Sequence, residues 1–344
     1  MPNPNKLLLM LLVLVAHVVF PEAARAGAKP RPAFSVRKVV SARVEDSWRN
    51  LTGTAEVQLP GHWLFQQQRL AIKDWLQRGD RVEIHLGYNQ KLVKEFTGYV
   101  TDVSPRIPVI ISCEDEMYRL KWVPVKFSAT SVRLPALLRA ICPADIRIDA
   151  LDVDMGHFRA KNVTVAKVLE KIKQDYGFVS YFQDGTLYCG RVYLKGADAP
   201  KTEFSFQRDI LADQLEYRER DDLKVIVKAT SHQLKGKNIT VTVGDEDALD
   251  AEERTLNYFQ VGSEAALRKM ALNDINKLKV EGYKGSFTTY GLPSVRHGDL
   301  AGLTNTEYPE RDGVFFIDSV VKTFESGGYR QEITLGSRAA LRGL

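Results

Sequence analysis

The sequence predicts a mainly β protein of the α+β class, with two β-barrel-like domains flanking an α+β insertion. Short runs with an apolar residue at every second position fill the first and last thirds of the 344-residue chain, and turn residues separate them. Helical apolar spacing is concentrated between these two parts. A Gly-Asp motif recurs at matching points of the two strand-rich parts. Together, these observations predict a duplicated β unit with an insertion.

The composition is that of an ordinary globular protein, with 44% hydrophobic and 26% charged residues. Cys113, Cys142 and Cys189 cannot all pair within the chain, and none lies in a CxxC motif, which argues against a disulfide scaffold and a zinc ribbon. The net charge is +5. Residues 119–209 carry 15 basic and 10 acidic residues, which leaves open either a mild basic face or a solvated surface. No part has the basic density of a nucleic-acid reader.

The N-terminus has two interpretations. Residues 7–20 read LLLMLLVLVAHVVF, after Lys6 and before the A-x-A sequence of residues 24–26, which is the pattern of a secretory signal. The run is too short for a comfortable membrane span, which needs about 20 residues. Its β-branched valines are equally typical of a buried strand.

The first β-barrel-like domain is predicted over residues 1–118, with residues 7–20 as its first strand. Alternating apolar residues mark the later strands at 33–46, 54–59, 81–88, 94–103 and 109–113. Pro60-Gly61, Pro105 and Pro108 supply turn signals between them.

The α+β insertion is predicted over residues 119–200. A short helix spans 134–141, with Pro135 in its first turn. Thr164 is the expected N-cap of a second helix, which has its apolar face at i, i+3, i+4 and i+7 and ends at Gly177. A hairpin around Asp184-Gly185 follows.

The second β-barrel-like domain is predicted over residues 201–344, with strands at 223–230, 237–243, 283–290, 314–324 and 329–335. A helix over 263–279, with Ser263 as its N-cap, is expected as an insertion within this domain.

The repeated motif supplies the candidate structural site. Gly79 and Asp80 precede one strand, and Gly298 and Asp299 precede another. Gly98 and Gly313 follow them at spacings of 19 and 15 residues, a difference that a loop would absorb. A Gly-Asp pair before a strand marks a tight turn. We therefore expect these six residues to shape equivalent turns in the two β domains.

The chain carries none of the common catalytic or nucleotide-binding motifs. Its six histidines are dispersed, so no local metal-ligand pair exists, and the sequence predicts no catalytic, cofactor-binding or metal-binding residues. Five aromatic residues of the middle region are candidates for either an interface or core packing: Tyr118, Trp122, Tyr176, Tyr181 and Tyr188.

Several stretches together resemble the late control gene D family of contractile-tail phages, the baseplate hub proteins, and most of all its Bacteroidetes-type members. They lie at residues 44–60, 78–88, 95–122, 164–190 and 314–339. The run from Glu95 to Trp122 is the most specific. The resemblance implies two β-barrel-like domains flanking an α+β insertion, and an apolar first strand near the start, paired with residues 34–46.

The same resemblance implies a structural function without catalysis. A homotrimer would present six similar barrels and adapt the sixfold tail tube protein to the threefold central spike protein, leaving an axial channel. Baseplate wedge and tape-measure proteins are further expected partners of this phage tail or contractile injection system. Sequence-specific nucleic-acid binding and stable membrane insertion are not expected. The expected location is the virion tail baseplate, after assembly in the host cytoplasm.

Two other functional classes remain open at the level of sequence. A secreted β-rich binding or adhesion protein would explain the apolar start through a cleaved signal peptide. A tail-tip hydrolase would require a cleft of converging carboxylates or histidines.

Overall fold

The computed structural model describes residues 14–21, 33–65, 68–71, 76–89, 91–104, 106–193, 198–219, 223–233, 237–245, 247–248, 251–279 and 281–339. These residues are mostly β, as the sequence predicts. Two compact units divide the chain. The first comprises Met1–Val44, Ala55–Cys113 and Lys322–Gln331, and the second comprises Glu45–Thr54, Glu114–Val321 and Glu332–Leu344.

The described residues of the N-terminal part of the chain form strands. They are β1 Leu14–Phe20, β2 Phe34–Val36, β3 Ser41–Ser47, β4 Thr54–Leu59, β5 His62–Phe65, β6 Gln68–Ala71, β7 Arg81–Tyr88, β8 Lys91–Ser104 and β9 Val109–Glu114.

The middle part mixes helices and strands. They are α1 Met117–Leu120, β10 Pro124–Ala129, α2 Leu134–Ile141, β11 Arg147–Ala150, β12 Phe158–Thr164, α3 Val165–Tyr176, β13 Val179–Gln183 and β14 Thr186–Gly190.

The last part returns to strands, with one long helix. The elements are β15 Lys201–Ser205, β16 Ile210–Arg218, β17 Val225–His232, β18 Ile239–Gly244, β19 Glu252–Phe259, α4 Glu264–Leu278, β20 Gly282–Tyr290, β21 Leu300–Thr304, β22 Gly313–Glu325 and β23 Gly328–Arg338, with a 3-10 turn at Pro309–Arg311.

In the first unit, the strands follow the order β3–β4–β9–β8–β7–β1–β2. β1 pairs antiparallel with β7, and its residue Val18 lies opposite Val36 of β2. Ala16, Val18 and Phe20 alternate onto the buried face of β1, which is the pattern of a core strand. Residues 7–13 of the predicted first strand lie outside the described residues.

In the second unit, the strands follow the order β16–β20–β23–β22–β21–β15. Read outward from β3 and from β16, the two orders match over five positions. At the sixth position β1 pairs antiparallel with β7, whereas β15 pairs parallel with β21. In neither unit do the end strands pair with each other among the described residues, so the sheets are open rather than the closed barrels that the strand pattern suggested. Alternation marks which residues form strands, but it does not determine which edges meet.

The middle region forms a compact α+β layer, because two amphipathic helices cover two small sheets. The β10–β12 ribbon and the β11–β14–β13 sheet share one apolar core with the buried faces of α2 and α3. Thr164 caps α3 by accepting from the Lys167 N–H, and Gly177 ends it with φ +70°. These caps and the α2 bounds confirm the sequence prediction.

The strands at 225–232 and 239–244 do not join the large sheet of the second unit. They form a separate β18–β17–β19 sheet, in which β17 and β19 run parallel. Helix α4, capped at Ser263 as predicted, packs Leu267, Ala271 and Ile275 against this sheet. The sequence pattern did not reveal β19, because its charged start hides any apolar alternation.

A buried ion pair lies in the first unit. The Lys322 ammonium contacts the Glu95 carboxylate, with side chains 4% and 1% exposed. The Tyr329 hydroxyl donates to the other Glu95 oxygen at 2.7 Å. Each of these charges is costly to bury unless its partner is present.

We therefore expect Lys322→Ala to lower the free energy of unfolding by about 3–5 kcal/mol, because Glu95 is left buried without its counter-charge. Replacing both charges, with Lys322→Met and Glu95→Gln, should cost less than Lys322→Ala alone, since the glutamine oxygen still accepts from Tyr329. Urea unfolding of the variants tests this expectation. A loss below about 1 kcal/mol for Lys322→Ala would show that the pair is solvated.

Candidate functional site

The first Gly-Asp turn, in the first unit, is closed by four hydrogen bonds. Gly79 donates its N–H to the Val100 carbonyl at 2.7 Å, and Val100 donates back to the Asp80 carbonyl at 2.8 Å. The Asp80 N–H donates to the Gln77 carbonyl at 3.1 Å, and the Gln77 N–H donates to Asp80 Oδ2 at 2.8 Å. Gly79 has φ +90°, a conformation that favours glycine. The turn thereby fixes where β7 starts along β8.

The second Gly-Asp turn, in the second unit, has the same four hydrogen bonds. Gly298 donates to the Ile317 carbonyl at 2.8 Å, and Ile317 donates to the Asp299 carbonyl at 2.9 Å. The Asp299 N–H donates to the Arg296 carbonyl at 3.2 Å, and the Arg296 N–H donates to Asp299 Oδ2 at 2.9 Å. Gly298 has φ +83°. The two turns are therefore alike bond for bond, and each precedes a strand paired with the longer strand of its sheet.

The structure does not place Gly98 and Gly313 at matching points. Gly98 lies two residues before Val100, whereas Gly313 lies four residues before Ile317. The strand registers agree, because Gly98 pairs with the second residue of β7 and Phe315 pairs with the second residue of β21. Phe315 is thus the counterpart of Gly98. Counting from glycine to glycine misses this shift, because it measures loop length and not register.

A buried carboxylate follows the second turn on β22. Asp318 accepts from Trp48 Nε1 at 2.9 Å, from Arg49 at 2.6 Å and from the Tyr193 hydroxyl. Burial and, secondarily, the adjacent Asp318 charge raise the pKa of Tyr193. A side chain at Gly336 would collide with both Tyr193 and Asp318. Three donors and a closely approaching backbone therefore fix this carboxylate in the second unit.

A second buried polar group involves the residue before the turn glycine. His297 Nδ1 lies 2.7 Å from Asp46 Oδ1, and the Tyr181 ring packs edge-on at 4.3 Å. His297 Nε2 is buried without a hydrogen-bond partner. Burial raises the pKa of Tyr181 to about 12. The imidazole is 5% exposed, so it lies inside the packing and not in an open cleft.

Asp115, whose charge interacts with that of Asp46, has a strongly raised pKa. Burial raises its pKa to about 7, and the nearby Asp46 and Glu114 charges add to the increase. The N–H groups of Gly53 and Met117 each donate to it at 2.9 Å and lower the pKa in part.

The candidate aromatic residues divide between packing and exposure. Tyr176 packs in a ring cluster with Phe178, His232 and Phe259. Tyr181 and Tyr188 contact each other at 4.8 Å. Trp122 differs from them, because its side chain is 65% exposed.

In the described ranges, no group of three or more His, Cys, Asp or Glu side chains is placed to hold a metal ion. The three cysteines are free thiols. No helix in the described part of the chain is long and apolar enough to cross a membrane.

Comparison with known proteins identifies the fold. No model of a known protein family matches the chain, and no curated protein matches it. The tail protein from Neisseria meningitidis MC58 superposes with a TM-score of 0.60 at 17% identity, over 94% of this chain and 96% of that one. The 43 kDa tail protein of prophage MuSo2 from Shewanella oneidensis gives a TM-score of 0.61 at 14% identity, over 93% and 98%.

A third similar structure belongs to a secretion system. It is an E. coli component of the type VI secretion system that exhibits structural similarity to the T4 bacteriophage tail proteins gp27 and gp5. Its TM-score is 0.52 at 9% identity, over 89% of this chain and 77% of that one. At these identities the likeness shows the fold, so this chain has the fold of phage tail proteins.

Gly298→Ala tests the backbone of the second turn. A Cβ at Gly298 would meet nothing within 4 Å, so only the positive φ opposes it. We expect a loss of about 1–2 kcal/mol in the free energy of unfolding. Gly262→Ala is the matched control, because its Cβ also meets nothing and its φ is not in the positive range. Equal effects of the two substitutions in thermal melts would contradict the argument.

Asp115 is expected to make stability depend on pH. Its folded pKa of about 7 lies above the ordinary value of 3.8, so the folded protein retains a proton that the unfolded chain releases. The destabilisation is absent below pH 3.8, grows as the pH rises, and is complete above about pH 7. It amounts to at most the order of 4 kcal/mol.

Urea unfolding at pH 5 and pH 8 measures this dependence. Asp115→Asn should reduce the difference between the two pH values, because an amide does not titrate. Asp152→Asn, at an exposed carboxylate, should leave it unchanged. The same pH difference in wild type and Asp115→Asn would rule Asp115 out as its source.

Proposed function

We propose that this protein is the structural hub of a phage tail baseplate or of a related contractile injection system. The observation that carries the proposal is the pair of like sheets, with the same strand order and the same four-bond turn in each. The fold that the chain shares with phage tail proteins supports it. The proposed role is mechanical and needs no catalytic residue.

The internal repeat suggests how symmetry is adapted. Two diverged copies of one β unit per chain become six such units in a homotrimer. Such an assembly can match a sixfold tail tube at one end and a threefold spike at the other, with an axial channel between them. A domain organisation of 1–118, 119–200 and 201–344 accommodates the two β units and the insertion. Assembly would take place in the host cytoplasm, before incorporation in the virion tail.

One end of the second unit's sheet offers an unpaired edge. β16 pairs with β20, and among the described strands it has no neighbour on its other side. The Leu215 N–H donates a hydrogen bond to the Asp213 carboxylate at 3.3 Å. The Gln214 carbonyl, by contrast, points to Gly285 of β20. Because direction alternates along a strand, Asp213 and Leu215 direct their backbone groups outward.

A complementary edge lies on β8 in the first unit. β7 pairs with β8 only as far as Tyr99, and the turn then occupies Val100. No described strand neighbours residues 101–104 on that side. Residues at the corresponding point of β22 have β3 beside them, with the Ser47 hydroxyl donating to the Asp318 carbonyl at 3.5 Å. The strand that matches β3 in the second order is β16.

These edges support pairing between copies. We infer that β16 of one copy lies along residues 101–104 of the next copy, in the relation that β3 has to β22. A contact between unlike edges is heterologous, so it closes into a ring when the rotation permits. Three copies give the proposed trimer. The tail tube protein, the central spike protein, and wedge and tape-measure proteins are the proposed further partners. A solved complex of PdpA with VgrG shares the fold, with a TM-score of 0.55 at 9% identity.

Proline substitutions on β16 test this pairing. Asp213→Pro removes an outward N–H, so it should leave the β16–β20 ladder intact while weakening self-association by about tenfold or more. Gln214→Pro is the matched control, since its side chain is also exposed but its N–H faces β20. That variant should lower the melting temperature through loss of a ladder bond.

Native mass spectrometry and sedimentation measure the oligomeric state, and thermal melts measure folding. The expected wild-type species is a trimer. A wild-type chain that stays monomeric at high concentration would contradict the hub proposal. An unchanged trimer in Asp213→Pro would contradict the strand pairing and leave the trimer in place.

A further inference from the structure

The β10–β12 ribbon of the second unit has one buried face and one exposed, basic face. Val125, Phe158 and Ala160 point into the core of the α+β layer. Lys126 of β10 and Arg159 and Lys161 of β12 are exposed on the other face. We call these three side chains the cationic ribbon. The positive balance of residues 119–209 is thus partly concentrated on two strands.

The register sets like charges against each other. Lys126 lies directly opposite Lys161, and Arg159 lies opposite Ser128. A bulge beside Lys126 creates this register, because Asn162 takes φ +58° and is left without a partner in the ladder. Like charges directly opposite in a ladder destabilise it by up to roughly 1 kcal/mol. The fold by itself gains nothing from this arrangement.

The three cations also lack counter-charges. Within the described part of the chain, none of the three makes an ion pair or a side-chain hydrogen bond. Five other cations of the same layer are paired with carboxylates: Arg119, Lys121, Arg133, Lys167 and Lys171. Arg147 and Lys173 of this layer donate to backbone carbonyls instead. Anionic groups from outside this layer would therefore find the cationic ribbon unneutralised.

We propose that the cationic ribbon binds a carboxylate-rich surface of a partner protein, and that Trp122, close to β10 in the chain, supplies an additional aromatic contact. Trp122 lies two residues before β10 and is 65% exposed. Tryptophan and arginine are the residue types most enriched at the centres of protein interfaces. Clustered carboxylates match the paired ammonium groups of Lys126 and Lys161 in charge. This surface does not include the β16 edge. A negative result for partner binding at the cationic ribbon would therefore leave the proposed strand pairing between copies untouched, and the reverse also holds.

The size of the patch favours a protein over other anions. Stable nucleic-acid binders contact about 6–10 phosphates, and three cations neutralise far fewer. An anionic membrane contributes about 1 kcal/mol for each basic residue near its surface, and three residues give only weak, reversible attachment. A protein surface adds apolar contact around Trp122 to the charge pairing.

Binding of labelled anionic probes to the full chain tests the proposal. The probes are a fluorescein-labelled poly-L-glutamate peptide, single-stranded and duplex oligonucleotides of equal charge, and phosphatidylserine-containing vesicles. The triple variant Lys126→Gln, Arg159→Gln, Lys161→Gln should bind poly-L-glutamate about tenfold more weakly than wild type at low salt. The matched control is Lys167→Gln with Lys171→Gln, which removes paired cations of the same layer and should bind as wild type does.

A single substitution separates binding from folding. Lys126→Glu places an opposite charge across from Lys161, so it should raise the melting temperature while weakening poly-L-glutamate binding. A purely structural role would not move the two readouts in opposite directions. Absence of poly-L-glutamate binding, or equal binding by wild type and the triple variant, would overturn the proposal. Tighter binding of the oligonucleotides or vesicles through the same three residues would overturn the choice of a protein partner.

Discussion

The four-bond Gly-Asp turn is the constraint on which both sheets depend. Each turn joins the start of a short strand to the middle of a long one. Its aspartate makes hydrogen bonds through its N–H, its backbone carbonyl and its carboxylate. A slip of one residue would reverse every side chain on the short strand. The turn therefore fixes the register of β7 on β8 and of β21 on β22. With the register fixed, β8 extends past β7 and leaves residues 101–104, one of the two edges that the assembly proposal uses, without a described neighbour on that side.

Carboxylates held by several hydrogen-bond donors are a second constraint on how the chain packs. Glu95 and Asp318 are buried and are each held by several donors, and each would be costly to bury alone. The partly buried Asp115 accepts from two backbone N–H groups. Such groups add little net stability, but they penalise any packing that leaves them unpaired. Asp318 shows this most clearly, because its donors come from two distant parts of the chain, at Trp48-Arg49 and Tyr193.

The likeness to known tail proteins has a physical explanation in the same features. The superpositions cover more than nine-tenths of the chain at 17% and 14% identity. Alternating apolar residues and tight turns can be supplied by many sequences, so a strand order can persist while side chains change. Surfaces such as the cationic ribbon are then where chains of one fold acquire different partners.

The sequence by itself determined the local structure. Thr164 and Ser263 cap their helices as predicted, because a cap depends on neighbouring residues alone. The Gly-Asp echo likewise pointed to two like turns. Only the tertiary structure decided that Gly98 corresponds to Phe315, that β17 pairs with β19, and that Lys126 faces Lys161. Those relations depend on which strands pair and in which register, and a period-two pattern carries no information about either.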